Sequence, residues 1–230
     1  MKIACIIIIT TLINLRNIID IISMIFVFND IFMAIDGIIY TTTNMAIQLV
    51  FSYIIMKNTK LIKLQDYLAF ILFSVYLVLL ALVTLDIPTG NLIGGKVVSY
   101  PHIIKGSVNI IPLGNIVKIF NSSSQFIQVF GNLIMLIPFG FILRYYKKVD
   151  TIRVGLKYIF LISVGIEVYQ FILNLIYSIY VPIVDPIYSS TYIRGVDIDD
   201  VILNTIGGFL GVCAFTLWTK LLNRRKKKYG

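Results

Sequence analysis

The sequence predicts an all-α, polytopic transmembrane helix bundle with five core helices and one further N-terminal hydrophobic helix. Of the 230 residues, 58% are hydrophobic and only 13% are charged, which leaves too little polar surface to cover the protein in water. The mean hydropathy is +0.92. The apolar residues form continuous runs long enough to cross a bilayer, and they do not alternate with polar residues as the strands of a membrane barrel do.

Five of these runs are expected to cross the membrane as helices, because lipid cannot satisfy the hydrogen bonds of an open backbone. Each run has 18 to 21 residues. At about 1.5 Å per residue, that length covers a hydrocarbon core of roughly 30 Å. The only charged residue inside them is Glu167. The runs are residues 38–56, 67–85, 126–143, 158–178 and 201–219.

The first 36 residues are compatible with more than one structure. A short apolar run at residues 3–15 is interrupted by polar residues between Asn14 and Asp20. No small-residue cleavage site follows, which argues against a signal peptide. A sixth membrane helix, an interfacial helix and a poorly inserted hydrophobic anchor all remain open. We therefore divide the chain into an N-terminal hydrophobic region (1–66), a membrane domain (67–222) and a basic cytoplasmic tail (223–230).

The lysine and arginine residues predict the orientation. Fourteen of the 20 lie in two short loops and the C-terminal tail, on one face of the predicted bundle, and four lie on the other face. Basic residues concentrate on the cytoplasmic side of membrane proteins, so the first face is expected to be cytoplasmic. The prediction is a multi-pass protein of the cell membrane. This bias explains most of the net charge of +9, so we expect no nucleic-acid partner.

The sequence predicts no cofactor and no metal. Cys5 and Cys213 lie in separate apolar runs, and His102 has no partner at the spacing of a metal site. No Gly-Lys-Ser/Thr phosphate loop is present. Without a recognisable nucleophile, the question of whether the chain is an enzyme stays open.

The densest group of charged residues stands at the start of the last apolar run. Ionisable groups at a membrane boundary are costly unless they face protein, water or a ligand, so this group is the first candidate for a functional site. A structural alternative is that the first two aspartates form a solvated helix entry and the third is an N-cap. The residues are Arg194, Asp197, Asp199, Asp200 and, one turn inside the run, Asn204.

Three polar residues of other runs lie at depths that allow them to join this group. Glu167 and Gln170 share one helix face, and Asn132 stands about 9 Å into the third run. Burying Glu167 costs on the order of 3 kcal/mol unless it is uncharged or has a partner. We expect one polar cluster in the outer half of the bundle. Alternatively, Asn132 and Asn204 only stabilise helix packing through hydrogen bonds.

Four motifs, in this order, resemble the VanZ-like family of membrane proteins. Their order along residues 108–222 makes the resemblance specific, although each motif alone is weak, and residues 67–85 correspond to the family's first core helix. The motifs are N-x-x-P at 109–112, G-N-x5-P-F-G at 131–140, E-x-x-Q at 167–170, and R-x-x-D-x-D-D-x-x-x-N-x-x-G-G at 194–208.

The resemblance implies a bacterial envelope protein, since the family's namesake is associated with low-level resistance to teicoplanin. The partners it implies are membrane lipid and either a lipoglycopeptide or a lipid-linked cell-wall precursor. Three functions remain open. The first is an outer-leaflet polar pocket that lowers susceptibility to teicoplanin-type antibiotics. The second is an intramembrane acid/base enzyme acting on a lipid-linked precursor through Glu167. The third is a small proton-coupled lipid or ion translocator.

Overall fold

The structure, a computed structural model, describes residues 2–27, 31–59, 63–84, 108–114, 116–117, 123–179 and 195–229. In this part of the chain the fold is all-α, as the sequence predicts, apart from two short strands, β1 (Val108–Asn109) and β2 (Val196–Asp197). The helices described are α1 (Lys2–Ile13), α2 (Leu15–Phe26), α3 (Ile31–Met56), α4 (Leu64–Thr84), α5 (Ser123–Met135), α6 (Ile137–Tyr145), α7 (Ile152–Ile179) and α8 (Ile198–Tyr229).

The chain forms two compact units. The first combines Met1–Ser107 with Gln170–Gly195, and the second combines Val108–Tyr169 with Val196–Gly230. Helix α7 runs from the second unit into the first, and the boundary lies between Tyr169 and Gln170.

In the first unit, the N-terminal hydrophobic segment is two helices rather than one. Helices α1 and α2 meet at Asn14 with a bend of 53°, as in a broken span or a re-entrant loop. The buried Asn14 amide donates hydrogen bonds to the Thr10 carbonyl oxygen (2.8 Å) and to Gln48 Oε1 on α3 (2.9 Å). Beyond the bend, α2 separates polar from apolar residues by face and carries an exposed Arg16–Asp20 pair. This amphipathic pattern favours the interfacial alternative for α2.

Three segments of the described residues are long and apolar enough to cross a membrane. They are Leu64–Ala81, Gln125–Tyr145 and Ile198–Arg224, with mean hydropathies of 1.9, 2.1 and 1.8. They coincide with three of the five predicted runs. Helices α3 and α7 cover the other two runs, and their crossing of the membrane stays a prediction.

The third predicted run is interrupted at Leu136, between α5 and α6. Leu136 is fully buried with φ −94° and ψ 4°, outside helical geometry. Pro138 follows in the first turn of α6. Proline has no N–H and its ring collides with the carbonyl four residues earlier, so a continuous helix through this point is disfavoured. The two helices still form one candidate span, Gln125–Tyr145.

Glycines bring α8 into backbone contact with α5 and α6. A Cβ atom at Gly207 would overlap the Leu133 carbonyl oxygen of α5, and one at Gly211 would overlap the Ile137 oxygen of α6. A Cβ on Gly140 of α6 would likewise overlap the Gly208 oxygen. Gly207 and Gly211, four residues apart, thus form a small-residue packing face of α8.

Candidate functional site

The site begins where two short strands bring distant motifs together. β1 and β2 pair in parallel, with Val108 opposite Val196 and Asn109 opposite Asp197. The pair places the N-x-x-P segment beside the first turn of α8. Between α4 and α5 the structure describes only residues 108–114 and 116–117, and these residues lie against the start of α8.

Asp197 caps α8 and is only 3% exposed. Its Oδ1 accepts hydrogen bonds from the Asp199 N–H (2.9 Å) and from Asn109 Nδ2 (3.1 Å). A side-chain oxygen that accepts from the second N–H of a helix is the N-cap arrangement. The N-cap is thus Asp197 and not Asp200, and the solvated entry considered for Asp197 is wrong.

Asp199 fixes the turn that follows β1. Its two carboxylate oxygens accept hydrogen bonds from the backbone N–H groups of Leu113 and Ile116, the latter at 3.2 Å. Leu113 has φ +65°, a left-handed conformation that is costly for a branched residue. Asp199 is 1% exposed, so the solvated entry is wrong for this residue too. The charge of Asp199 stabilises the turn and is itself favoured at a helix N-terminus.

Glu167 ties α7 to the beginning of α8. Its Oε2 accepts a hydrogen bond from the Asp197 N–H (3.0 Å), and its side chain is 5% exposed. One turn earlier on α7, the Ser163 hydroxyl donates to the Val201 carbonyl oxygen (3.1 Å). Of the two alternatives, a partner for Glu167 or an uncharged carboxyl, the structure shows the partner.

Asp200 differs from these three carboxylates. It is half-buried, and the described side chains that hydrogen-bond to its carboxylate are the carboxamides of Asn132 and Gln128 on α5. The cluster of Asp200 with Asn132 follows the prediction. Gln128 was missed, although its position four residues before Asn132 puts both on one face of α5.

Asn204 lies one turn after Asp200 and is 1% exposed. Within the described residues, neither its Oδ1 nor its Nδ2 has a hydrogen-bond partner. The alternative that Asn204 only stabilises helix packing requires a hydrogen bond to a neighbouring helix, and its side chain makes none within the described residues. A buried amide with both atoms unpaired is expensive, so such a group calls for an explanation.

For two predicted site residues the structure describes no contact with this site. Gln170 is buried on the turn of α7 after Glu167 but belongs to the other compact unit. Arg194 lies outside the described residues. Among the described residues, no three His, Cys, Asp or Glu side chains are arranged to hold a metal ion. The absence of a metal or cofactor stays a prediction.

Comparison with known proteins identifies the family of the chain. A profile of the VanZ/LLP1 family matches residues 69–219, which include α5 to α7 and the larger part of α4 and α8. The chain belongs to the VanZ/LLP1 family. The resemblance drawn from the four motifs is thus confirmed, and the membrane character of the chain agrees with its three candidate spans.

Within the VanZ/LLP1 family, a similar curated protein is Protein VanZ of Enterococcus faecium. It is 30% identical over 107 residues, which are 46% of this chain and 55% of that protein. The chain therefore spans about half the length of the curated relative it matches. No solved structure matches the chain.

Proposed function

We propose that this VanZ/LLP1 protein is a multi-pass protein of the bacterial cell membrane that lowers susceptibility to teicoplanin-type lipoglycopeptides. Its working part is a polar site at the outer face, formed by Asp200, Asn132, Gln128 and Asn204. The observation that carries the proposal is the contrast among the carboxylates. Glu167, Asp197 and Asp199 accept hydrogen bonds from backbone N–H groups, whereas Asp200 is held by two side-chain amides.

This contrast favours binding over acid/base chemistry. A proton carrier at Glu167 needs a carboxylate that can exchange its proton with a substrate. Here an oxygen of that carboxylate accepts the N–H of Asp197 and helps hold β2 in place. Asp200 is half-buried, accepts hydrogen bonds from two neutral amides and lies near the carboxylates of Asp197 and Asp199, which is the arrangement of a polar contact that orients a ligand.

The charges at the two ends of α8 support the outer location. Asp199 and Asp200 stand in its first turn, and six basic residues lie in its last part, between Lys220 and Lys228. The positive-inside rule then places the C-terminal end in the cytoplasm and Asp200 at the outer boundary.

Cysteine labelling tests this orientation. In a chain with Cys5 and Cys213 replaced by serine, the exposed residues Ile110 and Asp150 are changed to cysteine one at a time. A membrane-impermeant maleimide applied to intact cells is expected to label the Ile110→Cys protein only. Permeabilised cells serve as the control, in which both proteins should react. Labelling of both proteins in intact cells contradicts the orientation.

The proposed activity is tested by expressing the chain in a teicoplanin-susceptible Gram-positive host. Cells that produce the protein should show a higher minimal inhibitory concentration of teicoplanin than cells with the empty vector. A frameshifted copy controls for the cost of expression. If membrane-inserted protein is present and susceptibility is unchanged, the proposed function does not hold for this chain.

A further inference from the structure

Asn204 has unused hydrogen-bonding capacity beside Asp200. Its buried amide lacks partners at both atoms within the described residues, and burying a polar atom without a partner is costly. Asn204 follows Asp200 on the same face of α8, and helical side chains lean toward the N-terminus. The unpaired amide therefore lies on the inner side of the Asp200 carboxylate, where a bound group could satisfy it.

The atoms that remain available around Asp200 are mainly acceptors. A carboxylate only accepts hydrogen bonds, so Asn132 and Gln128 must donate to it through their NH2 groups. The acceptors that remain are the carbonyl oxygen of Asn132, the unpaired Oδ1 of Asn204 and the lone pairs of Asp200 that those NH2 groups do not use, and the unpaired Nδ2 of Asn204 is the one donor beside them among the described residues. A primary ammonium group carries three N–H donors and a positive charge, which match three acceptors, one of them anionic.

The surrounding charge excludes other ligand classes. Segment 194–200 has three aspartates and one arginine, so an anion such as phosphate is repelled. A divalent cation prefers several carboxylates, but Asp197 and Asp199 already direct oxygens at N–H groups. Asp200 lies two residues inside a candidate span that begins at Ile198, about 3 Å along the helix, near the level of lipid headgroups.

We propose that Asp200, Asn132 and Asn204 form a binding site for a primary ammonium group, carried by a lipid headgroup or a soluble amine. The site is the one named under the proposed function, and the inference rests on that assignment for its outer position. It adds the chemistry of the ligand. Binding is measured independently of antibiotic protection, so either claim can fail without the other.

The test is competitive lipid binding to the full-length protein in detergent, read by native mass spectrometry. Equimolar phosphatidylethanolamine and phosphatidylcholine are offered, since both headgroups are zwitterionic but only the first has N–H donors. The wild type is expected to retain the ethanolamine lipid about tenfold better, the ratio given by a charge-assisted hydrogen bond. Asp200→Asn should abolish this preference. Asp150→Asn, which neutralises an exposed carboxylate of the same unit, should keep it.

Equal retention of the two lipids by the wild type overturns the proposal, as does an unchanged preference in Asp200→Asn. Asn132→Ala is a second variant, expected to weaken the preference without removing a charge. Competition with free ethanolamine then distinguishes a lipid headgroup from a soluble amine as the source of the ammonium group. Displacement of the lipid by ethanolamine supports a site open to soluble amines, and retention of the lipid supports a headgroup site. A preference for phosphatidylethanolamine in a protein without antibiotic protection refutes the proposed function and supports the ammonium site.

Discussion

Replacement of Gly207 by alanine is expected to destabilise the folded protein by about 3 kcal/mol or more, the upper range for overpacking of a close contact. The added Cβ would overlap the carbonyl oxygen of Leu133 on α5. Backbone atoms cannot rotate out of the way as a side chain can. Helix α8 would have to move away from α5. That movement would also break the close packing of Gly211 of α8 against Ile137 of α6.

The measurement is the free energy of unfolding of the purified protein in mixed micelles. Gly131→Ala is the matched control, because a Cβ at Gly131 on α5 meets no atom within 4 Å. That control should be neutral or slightly stabilising, since alanine favours a helix over glycine by about 1 kcal/mol. Equal stability of the two variants would show that α8 does not pack on α5 by backbone contact.

Substitution of Asp199 by asparagine is expected to release the turn at residues 111–116 and to reduce the amount of folded protein. The two oxygens of Asp199 accept separate N–H groups, from Leu113 and Ile116. An amide has one accepting oxygen, so one N–H loses its partner and faces an NH2 group instead. A hydrogen bond to a charged group contributes about 1.5–3 kcal/mol, and the left-handed Leu113 depends on it.

Limited proteolysis at the turn and the melting temperature report this change. The Asp199→Asn protein should melt at a lower temperature and be cut faster near Leu113 than the wild type. Asp150→Asn again serves as the control and should match the wild type in both measurements. Wild-type stability in Asp199→Asn would mean that Asp199 does not hold the turn.

The sequence predicted those features that depend on composition and on spacing within one helix. Long uncharged runs predicted the helices, and the spacing of Glu167 and Gln170 predicted that both lie on one face of a helix, where both are buried. The buried position of Glu167 near the start of α8 followed from the cost of placing a lone carboxylate against lipid. Each of these inferences uses only the residues of a single element and the properties of the membrane.

The features that were not predicted depend on contacts between distant segments. Nothing in the local pattern shows that Asp199 accepts hydrogen bonds from N–H groups of a turn more than 80 residues earlier in the chain. Nor does it show that β1 and β2, each of two residues, pair as parallel strands. The break at Leu136 was not expected because membrane helices often tolerate proline, so Pro138 alone does not predict it. Gln128 was missed because it is the third residue of the predicted run 126–143, and a polar residue at the end of a membrane run is ordinary.

The central claim is that Asp200 serves the function while Glu167, Asp197 and Asp199 stabilise the structure around it. The most direct measurement is the teicoplanin susceptibility of cells that carry Asp200→Asn at the same membrane level as the wild type. Asparagine keeps the size of the side chain but removes the charge. The amides of Asn132 and Gln128 can donate to its oxygen and turn to accept from its NH2 group, so the local packing is kept. We expect normal protein levels and a normal melting temperature together with loss of the protection that the wild type confers. Full protection by Asp200→Asn at equal protein level would contradict the claim, because the Asp200 charge would then be dispensable.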